Sequence, residues 1–221
     1  MTDKIIVIFV EGDTEEEFYK KMMSSLRQKC GGRFPCNIVV KNVKGVGNYK
    51  VKVSRIFEKG IKKKYPNYLY DVILCYDTDV FEFAKKPPIK WGEVIKDLKN
   101  KGADRIFRVL AHKSIEDWFF YDPEGLIKYL NLPKTTKMTK YNGVKGLEKL
   151  FTKANKAYVK GNRCGGLVNA LDIEKILPNI CDEIHVICDA IGLDCNNDKS
   201  CKQISISSKK RKMAVKNKDC Q

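Results

Sequence analysis

The sequence predicts an α/β fold, a Rossmann-like parallel sheet of four strands with flanking helices, followed by a helical C-terminal part. Three observations carry this. Four short apolar runs, near residues 5–10, 37–43, 71–76 and 105–111, have strand length and β-branched content. Helical patterns fill the gaps between them, the order that a parallel sheet with crossover helices requires. From Ser114 onward the patterns are helical only.

Ile5 to Val10 is apolar at every position, as expected of a strand buried on both faces. Asp13 or Thr14 is placed to cap the following helix, with Glu16 or Glu17 as a capping-box partner. Phe18, Met22 and Leu26 share one helical face, and Cys30-Gly31-Gly32 ends the element. Asn37 to Val43 reads as the second strand, and a helix is expected from Tyr49 to Lys63 with Val53, Ile56, Phe57 and Ile61 inward. Asp71 to Tyr76 is the third strand. A helix over residues 89–101 and a fourth strand, Arg105 to Ala111, complete the α/β part. Ser114 is placed to cap a short helix, Pro123 to Leu130 forms another, and two more are expected near 144–160 and 172–192. The predicted divisions are an α/β core over 1–122, a helical region packed on it over 123–195, and a basic tail over 196–221 without core-forming pattern.

Composition narrows the function. The 221 residues carry 43 bases and 27 acids, a net charge of +16, which suits a polyanionic partner such as nucleic acid. Residues 11–17 reverse the trend, with five acids and no base. Nine scattered cysteines without a C-x-x-C pair argue against a disulfide framework or a zinc site and fit a reducing compartment. With two histidines only, metal chemistry here rests on carboxylates, and hard oxygen ligands favour Mg²⁺ or Mn²⁺. No apolar run reaches the ~18 residues of a membrane span, and the start of the chain has no signal-peptide pattern. The expectation is a cytoplasmic protein with no membrane partner. No G-x-x-x-x-G-K-[ST] loop is present, which argues against NTP hydrolysis.

The chemistry-bearing residues fall where strands end. Ligands of open parallel sheets gather outside the carboxyl ends of the strands. Strand one runs into Glu11, strand three into Asp77 and Asp79, and strand four into Ser114-Ile115-Glu116. Such a cluster repels itself and raises its own pKa values until a cation neutralises it. Asp77 is expected on the solvent side of that cluster. Acids in a first helical turn also offset the helix dipole, so Glu15, Glu16 and Glu17 alone prove little. Trp118, Phe119 and Phe120 are read as core rather than base-stacking residues, and His112 either as a phosphate ligand or as a plain strand-end histidine.

Val10 to Tyr19 (VEGDTEEEFY) and Asp71 to Asp79 (DVILCYDTD) resemble the two signatures of the Toprim domain, and the resemblance extends over roughly the first 120 residues. Within that family the chain looks most like the OLD-type nucleases and the small Toprim proteins of antiphage defence. That resemblance implies a two-metal Mg²⁺ or Mn²⁺ site on Glu11, Glu15, Asp77, Asp79, Ser114 and Glu116, with Glu11 and Glu116 catalytic and a downstream lysine, Lys145 or Lys160, completing it. It implies cleavage of DNA or RNA, and any ATPase partner as a separate chain. The rival readings are a non-catalytic nucleic-acid- or partner-binding module on the same fold, and a phosphatase or nucleotidyltransferase.

Overall fold

A computed structural model describes residues 3–79, 89–160, 165–195 and 204–206. Its centre is a four-stranded sheet, entirely parallel, in the order β2-β1-β3-β4. The strands are β1 (Lys4–Val10), β2 (Asn37–Asn42), β3 (Leu69–Asp77) and β4 (Arg105–Ala111). Alternate β1 residues feed two separate cores. Ile6, Ile8 and Val10 face α1 (Asp13–Lys29) and the C-terminal helices, while Ile5, Val7 and Phe9 face the 46–62 and 91–100 helical segments. Burial on both faces is why Ile5–Val10 and Val72–Tyr76 are apolar, while Asp71, also buried in β3, is ion-paired with Lys4 and Arg105. The fold class is thus the expected Rossmann-like α/β sheet with a helical C-terminal part.

Two helical segments cover the second face. A 3₁₀ turn, Val46–Asn48, leads into α2, a run over 49–62 in which π-helical Tyr49–Val53 and Phe57–Lys62 flank a short α-helical step, Ser54–Ile56. The Tyr49 hydroxyl donates to the carbonyls of Phe9 and Cys75, which ties α2 to the ends of β1 and β3. The second is α3 (Trp91–Asn100).

On the first face lie α4 (Ile115–Phe119), α5 (Pro123–Leu130), α6 (Gly143–Lys153), α7 (Gly165–Ala170) and α8 (Ile173–Ile191). Trp118 and Phe119 are fully buried against Phe18, as core aromatics. The helix expected to reach residue 160 stops at Lys153. Asn155 takes a left-handed conformation (φ 55°), Asn155 N donates to Thr152 O and Lys156 N to Phe151 O. This is a Schellman ending with asparagine in the left-handed position, and it releases 156–160 as an irregular stretch. The short helix α7 was not expected. A two-stranded antiparallel ladder, β5 (Leu193–Cys195) with β6 (Ile204–Ile206), places a strand inside the stretch read as an unstructured tail. The rest of that stretch lies outside the described residues. Among the described residues no helix is long and apolar enough to cross a membrane.

Candidate metal centre

The strand order dictates where a site can form. The chain passes from β1 to β2 on one side and returns to β3 on the other, so the direction of winding reverses between β1 and β3. The crevice outside their carboxyl ends is the ligand position of such sheets. Glu11 leaves β1 there and Asp77 ends β3.

The backbone at this edge is closely tied. Val43 N donates to Val10 O and Gly45 N to Glu11 O, joining the ends of β1 and β2; Gly45 has φ 107°, open to glycine without strain. Asp77 N donates to Glu11 Oε1 at 3.0 Å, so the acid after β1 grips the end of β3. Thr78 N donates to Ala111 O, Asp79 N to Lys113 O and Lys113 N to Thr78 Oγ1, fastening the D-x-D loop to the end of β4. These bonds hold three chain segments at fixed separation.

Each acid then takes a distinct place. Asp77 is 1% exposed, not on the solvent side as expected, and its Oδ1 accepts from Ile115 N at 3.2 Å. Asp79 Oδ2 accepts from Lys160 Nζ at 2.7 Å. Glu116, 2% exposed in the first turn of α4, accepts a 2.7 Å bond from the Tyr158 hydroxyl on Oε1. Glu15, 8% exposed on α1, lies so close to Gly12 that a β-carbon on that glycine would stand 2.5 Å from Glu15 Oε2. Gly12 is also the N-cap of α1, without a side-chain cap bond. Neither expected cap, Asp13 or Thr14, takes that position, and Asp13 instead accepts from Asn42 Nδ2 and Lys44 Nζ.

The remaining sequence candidates stand apart. Ser114 occupies the N-cap of α4, but its hydroxyl donates to Asp117 Oδ2 rather than turning to the acids. Lys145 is exposed on α6 and makes no ion pair among the described residues. His112 is exposed, and its backbone N–H donates to Glu183 Oε2. Lys160, by contrast, reaches both aspartates, 3.0 Å from Asp77 Oδ2 and 2.7 Å from Asp79 Oδ2. Tyr158 was missed by sequence reasoning, since no motif surrounds it.

Five carboxylates therefore converge with one ammonium, and burial shifts three of them, Glu11, Glu15 and Asp77. Burial pushes Glu11 up to about 7; the Asp77 N–H opposes this, and Glu15 and Asp79 add to it. Burial likewise lifts Glu15 to about 7, against its own backbone hydrogen bond and with Glu116 adding repulsion. Asp77 is raised well above the carboxylate range, again by burial first and despite Lys160. Burial works against the Lys160 charge, yet Asp77, Asp79 and Glu116 outweigh it and hold the ammonium above the usual lysine value.

Three of the carboxylate oxygens are buried without a hydrogen bond: Asp77 Oδ2, Asp79 Oδ1 and Glu116 Oε2. The ammonium of Lys160 stands 3.0 Å from the first and partly satisfies it. Buried carboxyl oxygens without partners are costly, and hard oxygen donors that lose their protons to a divalent cation suit it in both type and charge. Among the described residues no group of three His, Cys, Asp or Glu side chains is set for metal binding. Lys160 occupies the place between Asp77 and Asp79 instead.

No family model matches the chain, and no curated protein matches it. Among solved structures it is similar to the C-terminal region of the Xanthomonas campestris pv. campestris OLD protein. The likeness is loose. The TM-score is 0.38 at 18% identity, over 86% of this chain and 96% of that one, too little to identify this protein.

Proposed function

We propose that this chain is a divalent-metal-dependent nuclease that hydrolyses phosphodiester bonds in DNA or RNA, a Toprim-type enzyme of the OLD kind working in antiphage defence. The observation that carries the reading is the meeting of Asp77, Asp79 and Glu116, from two strand ends, in one crevice of a strongly basic protein, with Asp79 Oδ1 and Glu116 Oε2 buried without a hydrogen bond and Asp77 Oδ2 facing only the Lys160 ammonium. Asp77, Asp79 and Glu15 are the residues to hold one Mg²⁺ or Mn²⁺, and Glu11 with Glu116 a second. Bound there, such ions activate water and stabilise the attacking and leaving oxygens of an in-line displacement.

The chain's own groups supply the rest. Glu11 Oε1, bonded to Asp77 N, keeps the β1 and β3 ends in register while the carboxylates change charge. Lys160 carries a positive charge that burial alone would suppress and that its acids retain. Once those acids are otherwise neutralised, the ammonium is available to a phosphate oxygen that gains charge in the transition state. Excess basic charge elsewhere draws the polyanion to the surface.

A second reading keeps the fold and drops the chemistry: a nucleic-acid- or partner-binding module in which Lys160 permanently neutralises the acids. The absence of a ready metal arrangement among the described residues favours it. One experiment separates the two. Purified protein is incubated with Mg²⁺ or Mn²⁺ and single-stranded DNA, duplex DNA or transfer RNA, with and without EDTA. Metal-dependent cleavage that EDTA abolishes is expected; binding of all three without cleavage, in either metal, selects the module.

A further inference from the structure

Tyr158, Val159 and Lys160 form an irregular stretch released by the Schellman ending of α6. Tyr158 and Lys160 both reach the acid cluster, while Val159 between them is 54% exposed, the alternation of an extended chain. Three consecutive residues of the helical region thus place a phenol on Glu116 and an ammonium on Asp77 and Asp79.

We infer that Tyr158 is a positioning residue of the metal centre: by donating to Glu116 Oε1 it fixes that carboxylate with Oε2 bare and turned to the cation position. The inference rests on the metal reading above and goes beyond it, since it assigns a role outside the α/β part of the chain. The bond is 2.7 Å, between a tyrosine 7% exposed and a glutamate 2% exposed, so water cannot substitute for either partner without entering the core. With Oε1 accepting from the phenol, Oε2 is the oxygen left with both lone pairs for a cation. That oxygen, Glu116 Oε2, is the one buried without a hydrogen bond. The Tyr158 ring also packs edge-on to Phe151, with 5.2 Å between ring centroids, a contact that the hydroxyl does not make. Groups that orient metal ligands in this way typically alter metal affinity 10–100-fold when removed.

The test is the Mn²⁺ dissociation constant, read from the electron paramagnetic resonance of free Mn²⁺, for wild type, Tyr158→Phe, Glu116→Gln and the double variant. Tyr158→Phe keeps the ring and its packing on Phe151, and a roughly tenfold or greater weakening is expected. In the Glu116→Gln background, which no longer buries a charge at that point, Tyr158→Phe is expected to change the constant less than twofold. That background keeps the question answerable even where Tyr158→Phe alone folds poorly. Equal Mn²⁺ binding by wild type and Tyr158→Phe overturns the role of Tyr158 and leaves the metal site standing. A tenfold further loss in the Glu116→Gln background shows that Tyr158 does not act through Glu116, and also overturns it. Wild type that takes up no Mn²⁺ overturns the metal reading and this inference together.

Discussion

Lys160 Nζ lies 2.7 Å from Asp79 Oδ2, a bond that joins the helical region to the loop after β3 across 81 positions of chain. In the metal-free protein its charge offsets part of the repulsion among the acids. Lys160→Met is expected to lower the metal-free melting temperature. With a partly exposed ammonium the loss is about 1–2 kcal/mol, or roughly 2–8 °C for a chain of this size. Mn²⁺ should then stabilise the variant more than wild type, because no ammonium has to be displaced, while hydrolysis is lost. Thermal melts with and without millimolar Mn²⁺ measure both; equal melting and normal turnover would sink the role.

Asp77 does two jobs, one on each oxygen. Oδ1 accepts from Ile115 N, and Oδ2 faces the cluster. Asp77→Asn keeps an acceptor for Ile115, so metal-free melting should stay within a few degrees of wild type while Mn²⁺ binding weakens at least tenfold and cleavage disappears. Asp77→Ala strands the buried Ile115 N–H and should cost about 1–3 kcal/mol in addition. Comparable melting of the two variants would show that the bond to Ile115 carries no stability.

The raised carboxyls give the metal-free protein a definite pH dependence. Glu11 and Glu15 titrate at about 7 when folded, against 4.5 for an ordinary glutamate, so the folded state holds more protons between those values. Their contribution is fully present below pH 4.5 and is lost as pH rises through 7. Metal-free melting should therefore be higher at about pH 5 than at about pH 8, and the Glu11→Gln, Glu15→Gln pair should flatten the profile. Mn²⁺ should reverse the trend, since it binds the deprotonated acids. A wild-type profile already as flat as the double variant's would show that these carboxyls carry no burial penalty.

Residues 207–221 hold six bases and one acid beyond the β5–β6 ladder. Truncation after Ile206 keeps that ladder and removes the charge. Nucleic-acid binding should weaken at low salt, with the slope of log affinity against log salt reduced by ~0.9 for each duplex phosphate that the shortened chain leaves unneutralised. The rate at saturating substrate should not change, because such charges act equally on ground and transition states. A truncated protein without turnover at saturation would place these residues in the site.

Much of the framework was legible in the chain itself. The middle of a parallel strand buried on both faces is apolar, so Ile5–Val10 and Val72–Tyr76 announced themselves, and Glu11 and Asp77, which follow those runs, had to emerge at the carboxyl edge. Finer local chemistry was less legible. Asp13 has the residue type of a helix cap, yet Gly12 takes the cap position, and Asp13 turns to Asn42 and Lys44, which the register of β2 on β1 brings beside it. The expected helix through residue 160 ends at Lys153, because Asn155 adopts the left-handed conformation that closes its carbonyls.

Sequence alone determined the parallel sheet, the acids at its strand ends and the excess of positive charge, all properties of short stretches read in order. Tertiary structure alone decided which lysine meets those acids and how Glu116 is held. Lys145 and Lys160 are equivalent as letters, and Tyr158 has no motif. Their difference arises from the packing of α6 on α4 and from the irregular stretch that follows, which brings residues 158 and 160 to a sheet edge built from residues 11, 77 and 79. Meeting of segments so distant in the chain depends on how buried faces fit, and no local pattern encodes it.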